Sequence, residues 1–142
     1  MTVVWDDLHE GDAGPEPMTF GPITRTQIVQ YQGASGDFQP IHHDEPFALE
    51  AGYEAPLVVG MLPAGVMQGY LVSWLGPENI RQTKVRFCGQ VWPGDMLTVR
   101  GEIKKKYVDT ENRVDVEVEC VNQHAQVVLK GWASFVLPAH SN

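Results

Sequence analysis

Gly60-Met61-Leu62-Pro63-Ala64-Gly65-Val66-Met67-Gln68-Gly69-Tyr70-Leu71-Val72-Ser73-Trp74-Leu75-Gly76-Pro77 is the stretch on which the fold turns. Met61, Leu62, Val66, Met67, Tyr70, Leu71, Val72, Trp74 and Leu75 leave almost no polar face, so the segment reads as a helix enclosed on most sides. Gly76-Pro77 stops it. An interior glycine costs a helix about 1 kcal/mol relative to alanine, so Gly65 and Gly69 are expected where another backbone packs close. The wider apolar stretch, 57–75, is broken by Gly60, Pro63, Gly65, Gln68 and Gly69, and reads as a buried helix rather than a membrane span.

Toward the C-terminus, strand signals run almost without interruption. Residues 80–87 read as one strand, Trp92-Pro93-Gly94-Asp95 as a turn, 96–107 as a long strand and 109–113 as a polar hairpin loop. Val114, Val116, Val118 and Cys120 then alternate with Asp115, Glu117, Glu119 and Val121. That period of two turns the valines inward and the carboxylates toward water. Asn122, Gln123 and His124 form another turn, and 125–137 closes the sheet. Toward the N-terminus, 17–20 suits a short strand. Thr24 opens a helix, with Gln27 completing a capping-box pattern, and Gly33 or Gly36 ends it. Asp44 suits the N-cap of a second helix over 45–51, with Pro46 early and Gly52 after it. There is no internal repeat or linker, so residues 1–142 read as a single domain. One apolar helix followed by long antiparallel strands predicts an α+β class: a curved antiparallel sheet wrapped around that helix.

Composition narrows the function. Hydrophobic residues make up 43% and charged residues 20% of the 142 residues, as in a soluble globular protein. With 18 Asp+Glu against 10 Lys+Arg the formal charge is −8, a field that repels nucleic-acid phosphates. A polyanionic ligand would need a local basic patch. Lys84 with Arg86 is one candidate; Lys104, Lys105 and Lys106 are another, and read equally well as a solvated strand end. Cys88 and Cys120 are far apart among apolar neighbours, which predicts reduced core residues rather than a disulfide framework or zinc site. The acidic start, MTVVWDDLHEGD, lacks the basic and apolar runs of a signal peptide, so a cytoplasmic location is expected.

The chemistry-bearing segment is Tyr31-Gln32-Gly33-Ala34-Ser35-Gly36-Asp37-Phe38-Gln39-Pro40-Ile41-His42-His43-Asp44. Pro40 fixes its own φ and biases Gln39 to extended geometry, so this loop cannot continue the preceding helix. A rigid loop can aim Asp37 and His42 at one point. A carboxylate and an imidazole are suited to taking a proton from water and placing one on carbon. Each residue also has a structural reading: an aspartate after glycine as a turn or cap residue, a histidine as a packed side chain. His43 reads as a loop or surface residue, with Asp44 as a helix cap. His42, His43 and Asp44 are conceivable metal ligands, although adjacent histidines project apart and no third ligand stands at helical spacing.

The run Ser35-Gly36-Asp37-Phe38-Gln39-Pro40-Ile41-His42-His43-Asp44 resembles the signature of the MaoC-like (R)-specific enoyl-CoA hydratases and (3R)-hydroxyacyl-thioester dehydratases, Ser-Gly-Asp-x-Asn-Pro-hydrophobe-His-x-Asp. Ala55-Pro56-Leu57-Val58-Val59-Gly60-Met61-Leu62 is similar to the family's Ala-Pro-Ile-hydrophobe-His-Gly-Met-Leu element, and Val91-x-Pro93-Gly94-Asp95 to its strand turn. The likeness covers about residues 5–137. Tyr70-Leu71-Val72-Ser73-Trp74-Leu75-Gly76 brings it near the catalytic-type subunits of actinobacterial dehydratases. Two positions depart from the pattern: Gln39 stands for the usual Asn and Val59 for the usual His.

The resemblance implies a hot-dog fold and a hydro-lyase that reversibly hydrates trans-2-enoyl thioesters of CoA or acyl carrier protein to (3R)-hydroxyacyl thioesters, in fatty-acid or steroid metabolism. It implies Asp37 and His42 as the catalytic pair, sharing one water, and the Gly60 N–H as donor to the thioester carbonyl. A glycine lets substrate approach the backbone, and a helix N-terminus presents free N–H groups to enolate charge. No cofactor and no metal are implied. The expected partner is a second hot-dog subunit, identical or homologous, with no role for nucleic acid or membrane. Alternatives are a subunit active only with its homologous partner, or a thioesterase on the same fold.

Overall fold

The computed structural model describes residues 2–141. In chain order the elements are β1 (Met18–Phe20), α1 (Arg25–Ser35), α2 (Glu45–Glu50), α3 (Met61–Leu75), β2 (Ile80–Phe87), β3 (Leu97–Val108), β4 (Asn112–Val121) and β5 (Val127–Val136), with 3-10 turns at Trp5–Asp7, Pro40–His42 and Pro77–Asn79. The five strands form one antiparallel sheet in the order β1-β3-β4-β5-β2. α3 packs against β2, β3, β4 and β5, which is the wrapped-helix, hot-dog arrangement.

Local chemistry explains the helix ends. The Thr24 hydroxyl accepts from Gln27 N–H at 3.0 Å while the Gln27 side-chain oxygen accepts from Thr24 N–H at 2.8 Å, a reciprocal capping box. Of the two candidate stops, Gly36 ends α1, with φ at 76° and its N–H donating to the Gln32 carbonyl at 2.9 Å. Asp44 caps α2 by accepting from Phe47 N–H at 3.1 Å. In the Trp92–Asp95 turn, the buried Asp95 carboxylate accepts from Trp92 N–H and from the Gln123 amide, both at 2.9 Å. Its carbonyl accepts from Ile23 N–H at 3.0 Å, tying the turn to the entry of α1.

The core is the seam between α3 and the sheet. Met67, Tyr70, Leu71 and Leu75 are buried against Val99, Ile103, Val116, Val118 and Phe135. Gly131 makes that seam possible, because a Cβ there would lie 2.7 Å from the Met67 methyl and 2.8 Å from a Val118 methyl. The alternation along β4 holds: Val114, Val116, Val118 and Cys120 are buried, and the carboxylates lie on the outer face. There Glu119 pairs with Arg100, Glu117 accepts from the Trp132 indole N–H, and Asp115 accepts from the Tyr107 hydroxyl.

Three expectations need correction. Cys88 is exposed, because it follows the end of β2 where the chain leaves the sheet; only Cys120 is a core thiol. Gly65 and Gly69 do not mark a close backbone approach: a Cβ on either would meet nothing within 4 Å among the described residues, and Met61, Gly65 and Ser73 are exposed. Strands cover one side of the helix, and these residues form the strip facing away. Of the two readings of the β3 lysines the basic patch is the one to correct: Lys104 and Lys105 are exposed on the strand, but Lys104 pairs with Glu102, Lys105 lies over Tyr107, and Lys106 lies 4.0 Å over the Trp5 ring and donates to the Leu8 carbonyl.

Candidate active site

The loop between α1 and α2 is built around Pro40, which starts the 3-10 turn Pro40–His42. The sequence foresaw a rigid loop but not this turn. Within it the Asp37 N–H donates to the Ser35 hydroxyl at 3.2 Å, and an Asp37 carboxylate oxygen accepts from Gln39 N–H at 3.3 Å. Asp37 is exposed, on the outer rim of the loop.

His42 is half-buried, and its Nδ1 lies 2.7 Å from the Leu57 carbonyl. A carbonyl only accepts, so Nδ1 carries a hydrogen, and in the neutral ring the lone pair is then on Nε2. Leu57 N–H in turn donates to the Ile41 carbonyl at 3.2 Å. This two-way pairing of the loop with residue 57 places the imidazole beside the segment leading to Gly60, three residues on. Gly60 stands at the start of α3, and among the described residues its N–H makes no hydrogen bond. The Phe87 ring of β2 lies against it: a Cβ on Gly60 would be 3.1 Å from that ring. His42 and Gly60 are thus held by one backbone connection, while Asp37 reaches them only through the loop.

His43 points another way. Its Nδ1 lies 3.1 Å from the side-chain oxygen of Gln32, a buried α1 residue whose amide nitrogen donates to the Asp37 carbonyl at 2.9 Å and the Gln39 carbonyl at 3.3 Å. Adjacent histidines with separate acceptors do not converge on one ion. Gln32 was missed by sequence reasoning; the available signal was a polar residue where α1 must turn a face to the core. Of the two departures, Val59 is buried in the core, so the usual His position is apolar here, and Gln39 joins the loop through its backbone.

The surroundings are apolar and open. Phe38 is 65% exposed, Met61 55% and Phe87 53%, and an open cavity of about 250 Å³ beside the loop is lined by Val29, Gln32, Phe38 and His43.

Comparison with known proteins places this geometry. The MaoC like domain matches residues 12–127. The beta subunit of 3-oxo-4,17-pregnadiene-20-carboxyl-CoA hydratase from Mycobacterium tuberculosis is 32% identical over 104 residues, covering 72% of this chain and 74% of that one. R-Hydratase PhaJ1 from Pseudomonas aeruginosa superposes with a TM-score of 0.84 at 25% identity, over 98% of this chain and 88% of that chain. A chain of the ChsH1-ChsH2 complex from Mycobacterium tuberculosis superposes with a TM-score of 0.75 at 25% identity, over 96% and 99% of the two chains. The chain spans less than a third of the length of the first curated relatives it matches. With the family matching most of its length, the chain belongs to the MaoC-like domain family.

Proposed function

We propose that this chain is a single-domain hydro-lyase that reversibly hydrates trans-2-enoyl thioesters to (3R)-hydroxyacyl thioesters, with Asp37 and His42 as its acid–base pair and Gly60 as carbonyl donor. The observation that carries the reading is the 2.7 Å bond from His42 Nδ1 to the Leu57 carbonyl, which leaves Nε2 basic on the loop that also carries Asp37. Water loses a proton to one member of the pair as its oxygen bonds C3. The proton returned to C2 restores the pair, so the site ends the cycle as it began. Enolate charge building on the thioester oxygen is met by the free Gly60 N–H at the opening of α3. The names of the similar hydratases support the same reaction class.

The working form is two hot-dog units. Among the described residues one long edge of β2 has no strand beside it, and exposed Phe87 and Met61 flank the proposed carbonyl site, which needs a second wall. A homologous subunit is a specific alternative to a second copy, because similar chains are named as a subunit and as part of a two-component complex. Among the described residues no helix is long and apolar enough to cross a membrane. A cytoplasmic location is part of this reading.

The test is loss of enoyl absorbance across a panel of thioesters varying chain length and carrier, with thiol release followed in parallel. Asp37→Asn and His42→Ala should each lower turnover by about 10²–10⁴-fold, with the double variant far milder than the product of the two. Near-parent hydration by Asp37→Asn, or thiol release without hydration, would sink the assignment.

A further inference from the structure

We infer that Gln32 and His43 act together as positioning residues that hold Asp37 at its working distance from His42. The inference rests on the hydratase reading for its catalytic meaning, while its structural content stands on hydrogen bonds alone. Gln32 projects from α1 into the loop and is 2% exposed. A side-chain amide buried that deeply needs its donors and its acceptor engaged, and here both ends are. The amide nitrogen faces two carbonyls, of Asp37 at 2.9 Å and Gln39 at 3.3 Å; the amide oxygen faces His43 Nδ1 at 3.1 Å. The reverse amide orientation would set oxygen against two carbonyl oxygens, so the nitrogen must donate and the oxygen must accept. His43 therefore carries its hydrogen on Nδ1.

One glutamine thus grips the loop at two places. At the near end it holds the peptide carbonyls on either side of Phe38, just after the Asp37 side chain. At the far end it holds the residue directly following His42. His42 is separately fixed by the Leu57 carbonyl, and among the described residues the Asp37 carboxylate has no bond beyond the Gln39 N–H at 3.3 Å. Asp37 is therefore placed by its backbone, and its backbone is placed by Gln32. Gln39, where the family pattern has Asn, takes part only through backbone atoms, so Gln32 supplies loop contacts that the side chain at 39 does not. His43 is exposed, as its reading as a loop or surface residue expected, yet its ring is bonded to the buried Gln32.

Four variants of the full chain in its assembled form test this: Gln32→Met, His43→Ala, His43→Asn and Gln32→Met with His43→Ala. Asparagine keeps a donor near the Nδ1 position. Gln32→Met and His43→Ala should lower kcat for crotonyl-CoA roughly 10-fold, since misplacing a reacting group by an ångström is enough for such a loss. KM should stay within about twofold. His43→Asn should recover most of the rate, and the double variant should be no worse than Gln32→Met alone. Nitrogen-detected NMR supplies a readout free of activity. His43 should be protonated at Nδ1 in the parent and move to Nε2 in Gln32→Met, with the Phe38 backbone amide resonance displaced while His42 keeps its Nδ1 hydrogen. An active parent with unchanged kcat in Gln32→Met and His43→Ala would overturn the positioning role and leave the hydratase reading standing. A parent inactive on every thioester would end that reading, while the NMR shifts would still uphold the clamp. A His43 protonated at Nε2 in the parent, or a Phe38 amide resonance that Gln32→Met leaves in place, would overturn the clamp itself.

Discussion

His42 and His43 carry the same ring one position apart, yet each is fixed by a different acceptor: the Leu57 carbonyl for one, the Gln32 amide oxygen for the other. The two cysteines divide in the same way. Burial pushes the Cys120 thiol up to about 12, whereas Cys88 is exposed. A maleimide reagent at neutral pH should therefore label Cys88 and spare Cys120, and denaturation should double the labels per chain. Two labels on the folded protein would contradict the burial of Cys120. Asp37, His42 and Gly60 were singled out in the sequence because their spacing matches a family signature. Gln32 was not, because a polar residue on a helix ordinarily reads as solvated, and its burial arises only when the loop folds back over α1. Cys88 misled for a related reason: apolar neighbours signal burial only where the strand continues, and β2 ends at Phe87.

The elements themselves were legible wherever one residue type settles a backbone question. Thr24 with Gln27, and Asp44, mark helix starts in the sequence and do so in the structure, while of the two glycines offered as the end of α1 the structure uses Gly36. β4 follows from period-two alternation and the other strands after residue 80 from strand signals bounded by turns, with boundaries within a residue or two. The open strip along α3 could not be read, because a helix without a polar face looks the same whether one sheet covers it or more does. Inside the seam the fit is tight. Gly131→Ala should destabilise by about 1–3 kcal/mol, because its Cβ must displace the Met67 methyl or distort β4 at Val118. Chemical denaturation measures this, and pairing the change with Met67→Ala should give back part of the loss. A neutral Gly131→Ala would mean that the seam is looser than the structure describes.

For the molecule as a whole, assembly and the chain ends matter most. The unpaired β2 edge and the exposed Phe87 and Met61 predict a dimer, or a complex with a homologous subunit. Light scattering should give about twice the 15.8 kDa chain mass, and a monomer at micromolar concentration with full activity would refute the two-unit site. At the opposite side, His140 Nε2 lies 2.9 Å from an Asp7 carboxylate oxygen. Bonding and attraction to Asp7, aided by Asp6, raise the imidazole above its ordinary 6.5. A folded-state value above the unfolded one stabilises fully at pH below 6.5 and is lost as pH rises through the raised value. Thermal scans from pH 6 to 9 should show a small fall in melting temperature that His140→Ala abolishes; an identical slope in that variant would assign the fall elsewhere. The same tie brings the two ends together, with Trp5 N–H donating to the Pro138 carbonyl at 2.8 Å. Topologically the described chain is close to a closed ring, so its start and finish are interchangeable with an exposed turn such as Asp109–Glu111. A unit of that kind can be spliced into a longer polypeptide, or doubled in tandem, with little disturbance to its interior.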